Sequence, residues 1–306
     1  MTMKKQQKRH FFRHLVCAVL SFLLTASLLV TTMVGVVGML LFDRGLHERT
    51  ALSDAVIDAQ MKRLTAEISE ICDEYSVSEE MILPLVTRES VTAYNREVIS
   101  WWMGMYQGGG VAPAPEWQAA DLETAVREDE MFQSAVSSAQ RKMVARDRVA
   151  PAIRKAISDA VLPVRDSLLS FAMAKIVERI DLAAYAGILY YAPLASLAVS
   201  ALLTALICLV FKGRPRRRAL WGSSPFMAAA FVVIGALALL ALLNIPAQVA
   251  EMSEILAMQV AALMRALYLR MALTSAVCLL GGAAWMHLAY RASRRGGRKI
   301  LKESKA

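Results

Sequence analysis

The chain has 306 residues, 57% of them apolar, a mean hydropathy of +0.43 and a formal net charge of +9. At that length and composition much of the chain belongs in lipid and not in an aqueous core. A sequence pI near 9.5 would suit a nucleic-acid binder, but the basic excess is confined to short flanks of apolar runs and excludes that reading.

The N-terminus, residues 1–14, carries five of the 35 basic residues and no acid, and an uncharged run follows from Leu15 to Phe42. Secretory h-regions are roughly 7 to 15 residues long, so this run is expected to be a retained transmembrane anchor over 15–42. Short basic flanks favour the inside of the membrane, which puts the N-terminus in the cytoplasm and residues 43–184 outside it. Those 142 residues hold 16 basic and 23 acidic side chains and make one domain.

The pattern of that domain is helical. Ile57, Met61, Leu64, Ile68, Ile71 and Tyr75 recur at spacings of four and three, as on a helix packed in a bundle. Ser76 and Glu79 have the spacing of a capping box, and Pro84 predicts a break with a restart after Thr87. Val91, Tyr94, Val98, Trp101, Trp102 and Tyr106 carry the next helix as far as the glycines at 108–110. The stretch 108–117, with three glycines and two prolines, is expected to be a loop. Helical patterning resumes near Asp121 and continues, with breaks at Pro151 and Pro163, to Asp181. Adjacent helical residues diverge by about 100°, so one of Trp101 and Trp102 belongs to the core and the other is the candidate partner contact.

A second span is expected at 185–211. Within it Ala192, Ser196, Ser200 and Thr204 recur every fourth residue, a candidate groove for close helix approach in lipid. A basic loop at 212–224 follows, interrupted by Gly213, Pro215 and Gly222. Its Arg216, Arg217 and Arg218 are candidate contacts for anionic lipid headgroups on the cytoplasmic side. A third span takes 225–246. Residues 247–270 read as an amphipathic outer helix, with Glu251, Glu254, Gln259, Arg265 and Arg270 on one side of the wheel and Val249, Met252, Leu256, Leu263 and Leu267 on the other. It lies in the membrane interface or packs under the outer domain. The fourth span is 271–290, and the tail 291–306 returns seven more basic residues to the cytoplasm. The fold class is therefore all-α: four transmembrane helices of the cell membrane, one helical extracytoplasmic domain between the first and second, and both termini cytoplasmic.

Recognisable chemistry is absent. The four cysteines and four histidines are too dispersed for a disulfide framework or a metal site. No span has an ionisable residue at its middle, which disfavours an ion-coupled carrier. Neither a G-x-S-x-G nor an H-E-x-x-H pattern occurs, and the glycines at 108–110 lack the Lys and Ser or Thr of a phosphate loop. Runs such as Glu79–Glu80 and Glu128–Glu130 read as solvated helix faces. No cofactor is expected.

In layout alone, one span, a large outer domain and three further spans, the chain resembles the four-span permease subunits of cell-division and macrolide-export ABC systems. That resemblance implies an ATPase partner docked on a cytoplasmic element after the second span, where this chain has only the broken 212–224 segment. The leading expectation is a non-enzymatic envelope interaction or sensing module that meets lipid on its inner side and a protein partner through its outer domain.

The charge asymmetry makes one direct prediction. In a cysteine-free background, Gly109→Cys is labelled by a membrane-impermeant thiol reagent in intact cells and Gly213→Cys is not. Labelling at Gly213 alone reverses the orientation.

Overall fold

Helix is the only regular structure among the described residues of this computed structural model, which are 2–106, 115–117, 122–169, 182–212, 214–251 and 253–303. In chain order the helices are α1 (Thr2–Leu41), α2 (Arg44–Ala51), α3 (Asp54–Tyr75), α4 (Glu79–Ile82), α5 (Arg88–Tyr106), α6 (Leu122–Glu128), α7 (Glu130–Ala135), α8 (Arg141–Val144), α9 (Ala150–Leu169), α10 (Leu182–Val210), α11 (Pro215–Leu243), α12 (Ile245–Ala250) and α13 (Glu254–Glu303). A 3-10 turn at Leu83–Leu85 follows α4, and a π-helical turn at Ala145–Val149 joins α8 to α9. Helical stretches long and apolar enough to cross a bilayer occupy Phe11–Leu40, Gly187–Val210, Arg216–Ala250 and Glu254–Leu288. The chain is a multi-pass membrane protein. It divides into a membrane unit, residues 1–40, 186–244 and 265–306, and a polar unit, residues 41–185 and 245–264.

The polar unit is built on α3, α5 and α9, which pack on one another. Ile57, Leu64 and Ile68 of α3 meet a core that includes Val91, Val98, Ile99 and Trp102 of α5 and Ile153 and Ile157 of α9, all buried. Each such side chain contributes roughly 1.5–3 kcal/mol on leaving water. Two amides complete this core. Gln60 Nε2 donates to Asn95 Oδ1 at 3.2 Å and to the Ala160 carbonyl at 3.3 Å, while Asn95 Nδ2 donates back to Gln60 Oε1 at 2.8 Å. Both side chains are fully buried, so this triangle fixes the register of three helices at once.

Helix ends depart from the sequence reading in instructive ways. Ser76 does not open a helix; at φ 55° it closes α3, with Val77 N–H bonded to the Cys72 carbonyl at 2.9 Å and Ser76 N–H to Asp73 at 3.4 Å. This is a Schellman arrangement with serine where glycine is usual. The carboxylate of Glu79 accepts from Ser69 Oγ instead of capping. Asp129 is not on a solvated face: it is buried, and its Oδ2 accepts from Phe132 N–H at 2.8 Å, capping α7, and from Ser78 N–H at 3.2 Å. Pro84 sits in the 3-10 turn, and α5 restarts after Thr87, whose Oγ1 accepts from Ser90 N–H at 3.1 Å. Pro151 directly follows the π-helical turn at Ala145–Val149 and does not end the helix, which continues past Pro163 to Leu169. The loop expected at 108–117 lies outside the described residues except for Pro115–Trp117, as does the junction 170–181.

Two corrections concern the membrane half. Residues 212–224 are not a loop, because α11 begins at Pro215 and runs through Pro225. Pro215 is at the helix start, where its fixed φ is favourable, and Gly222 marks a close helix contact and not a break. The wheel drawn over 247–270 also fails, because α12 ends at Ala250 and α13 starts anew at Glu254. Within α13 itself Gln259, expected on the polar side, is buried with Ile255 and Val260. Residues 245–264 group with the polar unit, and α13 continues unbroken through the span to Glu303.

The amide triangle sets the prediction for this unit. Asn95→Ala leaves a buried Gln60 unpaired and lowers stability by about 2 kcal/mol in thermal or denaturant unfolding of the full chain. Gln60→Met combined with Asn95→Leu recovers most of that loss, and strict additivity of the single changes would contradict the pairing.

Candidate functional site: the helix seams of the membrane unit

Helix α1 is the hub of the membrane unit. It buries Cys17, Leu24, Leu28 and Val36 together with Ser21, Ser27 and Thr32. Leu24 and Leu28 share a core cluster with Leu203, Ile207 and Phe211 of the α10 end, and Val36 shares another with Val233 of α11 and Met271 of α13.

The contact of α1 with α10 is a polar seam. Ser27 Oγ donates to the Ser196 carbonyl at 2.7 Å and receives Ser200 Oγ at 3.0 Å, while Thr31 Oγ1 lies 2.7 Å from Ser196 Oγ. Farther along, a Cβ placed on Gly35 would lie 3.6 Å from the Cβ of Pro193, and one on Gly38 would lie 3.2 Å from the Leu189 carbonyl oxygen. The partners run antiparallel, 27 with 200, 31 with 196, 35 with 193 and 38 with 189. Backbone approach this close is possible only where side chains are small, and in lipid it replaces the hydrophobic effect as the source of helix association.

Of the four residues singled out on α10, Ser196 and Ser200 face α1. Thr204 donates its hydroxyl to the Ser200 carbonyl of its own helix at 2.7 Å, and Ala192 is half-buried. Strict four-residue spacing advances about 40° per step around a helix, so such a stripe cannot stay on one straight contact. The facing set, Leu189, Pro193, Ser196, Ser200 and Leu203, alternates four and three. Ser27, Thr31, Gly35 and Gly38 form the complementary face on α1, and their small side chains at near-heptad spacing were the signal available for finding them.

Both prolines inside these spans free a carbonyl toward α1. Pro225 leaves Trp221 C=O without its helical donor, and Ser21 Oγ supplies one at 3.2 Å. Pro193 likewise frees Leu189 C=O, the oxygen that sits against Gly38. A neighbouring helix that satisfies freed carbonyls is what permits proline in a membrane span.

A second seam joins α11 to α13. Trp285 Nε1 donates to the Arg218 carbonyl at 3.2 Å, and a Cβ on Gly222 would collide with the indole of Trp285. Gly281 and Gly282 then admit Phe226 and Met227 of α11. At the same end Arg217 Nη1 is 3.1 Å from His14 Nε2, whose ring lies 6.0 Å from that of Trp221 and 6.3 Å from that of Phe211. Arg216 is exposed, and Arg218 reaches the Phe211 carbonyl at 3.5 Å.

In the polar unit, Trp102 is 2% exposed and belongs to the core, while Trp101 is partly exposed with its ring 6.3 Å away. Cys72 is buried, and burial followed by the charges of Glu79, Asp73 and Asp129 pushes its thiol up to about 11, so it is protonated and inert at neutral pH. Arg88 pairs with Asp54 and Asp58. Among the described residues no three His, Cys, Asp or Glu side chains come together as a metal site. No family model matches the chain, and neither a curated protein nor a solved structure is significantly similar to it.

The seam separates two single substitutions. Ser200→Leu forces a branched side chain into a position 5% exposed against Ser27 and lowers the unfolding temperature and membrane yield, an overpacking cost of ~1–3 kcal/mol. Val199→Leu, one residue away and 46% exposed, is nearly silent. Equal tolerance at the two positions would show that the seam does not hold the spans together.

Proposed function

We propose that the chain is a non-enzymatic protein of the cell membrane, with both termini cytoplasmic, whose helical domain lies outside the cytoplasm and serves as an envelope interaction or sensing module. The observation that carries this reading is the neck made by α1 and α10. These two spans flank the domain in sequence, and they meet at Gly38 and Leu189, a few residues from where residues 41–185 begin and end. A shift of these two packed helices past each other is one way to couple a domain joined to both of them to the bilayer. Hydroxyl pairs at Ser27, Thr31, Ser196 and Ser200 give that contact a discrete geometry that a partner's binding would bias.

Partly exposed Trp101, backed by Trp102 in the core, offers a rigid aromatic surface of the kind that anchors protein contacts. The permease-like alternative needs a docking element between the second and third spans. Helix α10 ends at Val210 and α11 starts at Pro215, leaving four residues between them, which favours the interaction module.

The test is photo-crosslinking of the full chain in intact cells from position 101, with exposed Glu70 as the control position. A discrete adduct from 101 and none from 70 is the expected result. Equal adducts from both positions reject the Trp101 surface. Recovery of a nucleotide-binding subunit in fixed ratio, lost when Arg216, Arg217 and Arg218 are changed to Gln, establishes the permease instead.

A further inference from the structure

The membrane unit is almost devoid of internal counter-ions. Residues 1–40, 186–244 and 265–306 contain 19 Lys and Arg and one acidic side chain, Glu303. Where α1 meets the start of α11, that imbalance is concentrated. Arg214 immediately precedes α11, Pro215 opens it, and Arg216, Arg217 and Arg218 fill its first turn, with no acidic residue there and no side-chain cap. A helix N-terminus presents unbonded N–H groups and a positive dipole end, so three arginines at that point are disfavoured by the helix itself and are relieved by an anion.

Contact across the helices sharpens the point. Arg217 Nη1 approaches His14 Nε2 at 3.1 Å, bringing together two basic side chains from two spans. Arginine has only donors, so in this contact the imidazole nitrogen accepts, and the other guanidinium N–H groups point to an anion that offers two oxygens. On the same turn Arg218 Nε is buried without a hydrogen-bond partner among the described residues. His14 is held in place by the rings of Phe211 and Trp221. Apolar surface adjoins the cluster on both helices: Leu15, next to His14, is 51% exposed and Leu220, three residues after Arg217, is 63% exposed.

We propose that His14, Arg217 and the first turn of α11, flanked by Arg214 and Arg216, form a seat for the phosphodiester of an anionic membrane lipid, whose acyl chains lie along Leu15 and Leu220. A phosphodiester supplies the oxygens that match a guanidinium fork and a helix N-terminus together, and the adjoining apolar surface selects a lipid over a free anion. The seat deepens the membrane part of the functional reading. It rests only on α1 and α11 crossing a bilayer, and it is indifferent to what the polar domain binds.

The experiment uses the full chain purified in an uncharged detergent. It is titrated with dioleoylphosphatidylglycerol, with dioleoylphosphatidylcholine and with inorganic phosphate, and bound lipid is counted by native mass spectrometry alongside the unfolding temperature. One phosphatidylglycerol per chain is retained in preference to phosphatidylcholine. Arg217→Gln and His14→Gln each weaken that retention about tenfold, Arg217→Lys falls between because a point charge replaces the fork, and Arg294→Gln, which removes the same charge from the tail, changes it less than about twofold. Equal weakening by Arg217→Gln and Arg294→Gln would mean diffuse attraction and overturns the seat. Equal stabilisation by inorganic phosphate and by phosphatidylglycerol overturns the lipid assignment. If Arg217→Gln does not fold, His14→Gln and Arg217→Lys carry the comparison, and wild-type retention in both rejects the proposal. A chain that stays monodisperse without detergent would instead refute the membrane-spanning premise.

Discussion

Inside a bilayer no water is available to a polar group, and the membrane unit is arranged around that constraint. Two spans contain proline, and each proline leaves one carbonyl, Trp221 or Leu189, without its helical partner. Both carbonyls face α1. There they meet Ser21, which donates an O–H, and Gly38, which permits backbone approach. Ser27 and Thr31 occupy the same helix between these points and bond to Ser196 and Ser200. One helix thus meets the irregularities of two neighbours, and α1 buries a larger share of its apolar window than the other three spans do.

Charge is divided between the two units as sharply as polarity. The polar unit holds 25 acidic and 16 basic side chains, against one and 19 in the membrane unit. In the polar unit most carboxylates are at the surface or in exposed ion pairs, such as those of Arg44 with Glu48 and Arg63 with Glu67, and contribute little to stability. Asp129 differs because it is buried on two backbone N–H groups and acts as a structural cap. The membrane unit has one acidic side chain, Glu303, against its 19 cations.

The neck and the basic end are therefore separate devices. The first joins α1 to α10 through small residues and hydroxyls, with no titratable group among Ser27, Thr31, Gly35, Gly38, Ser196 and Ser200. The second gathers cations at the start of α11, where the connection from α10 is too short to form a docking helix.

The amino-acid order alone determined the helical class, the four apolar stretches and the break at Pro84, because these depend on local composition and on constraints acting within one turn. Ser196 and Ser200 were legible as small polar residues within a span, since helical periodicity is a local property. Their partners on α1, 165 to 173 residues away, were not, because which faces meet is decided by packing. The same limit hid Gln60 and Asn95, whose amides are tolerable in a core only because each satisfies the other. It also misplaced Gly222, read as a breaker, and Pro225, read as the start of a span: Trp285 fills the space left by Gly222, and Ser21 takes the carbonyl freed by Pro225. Tertiary structure decided these positions because the cost of an unpaired carbonyl or an absent side chain depends on what lies across the helix boundary, and one chain's order does not state that.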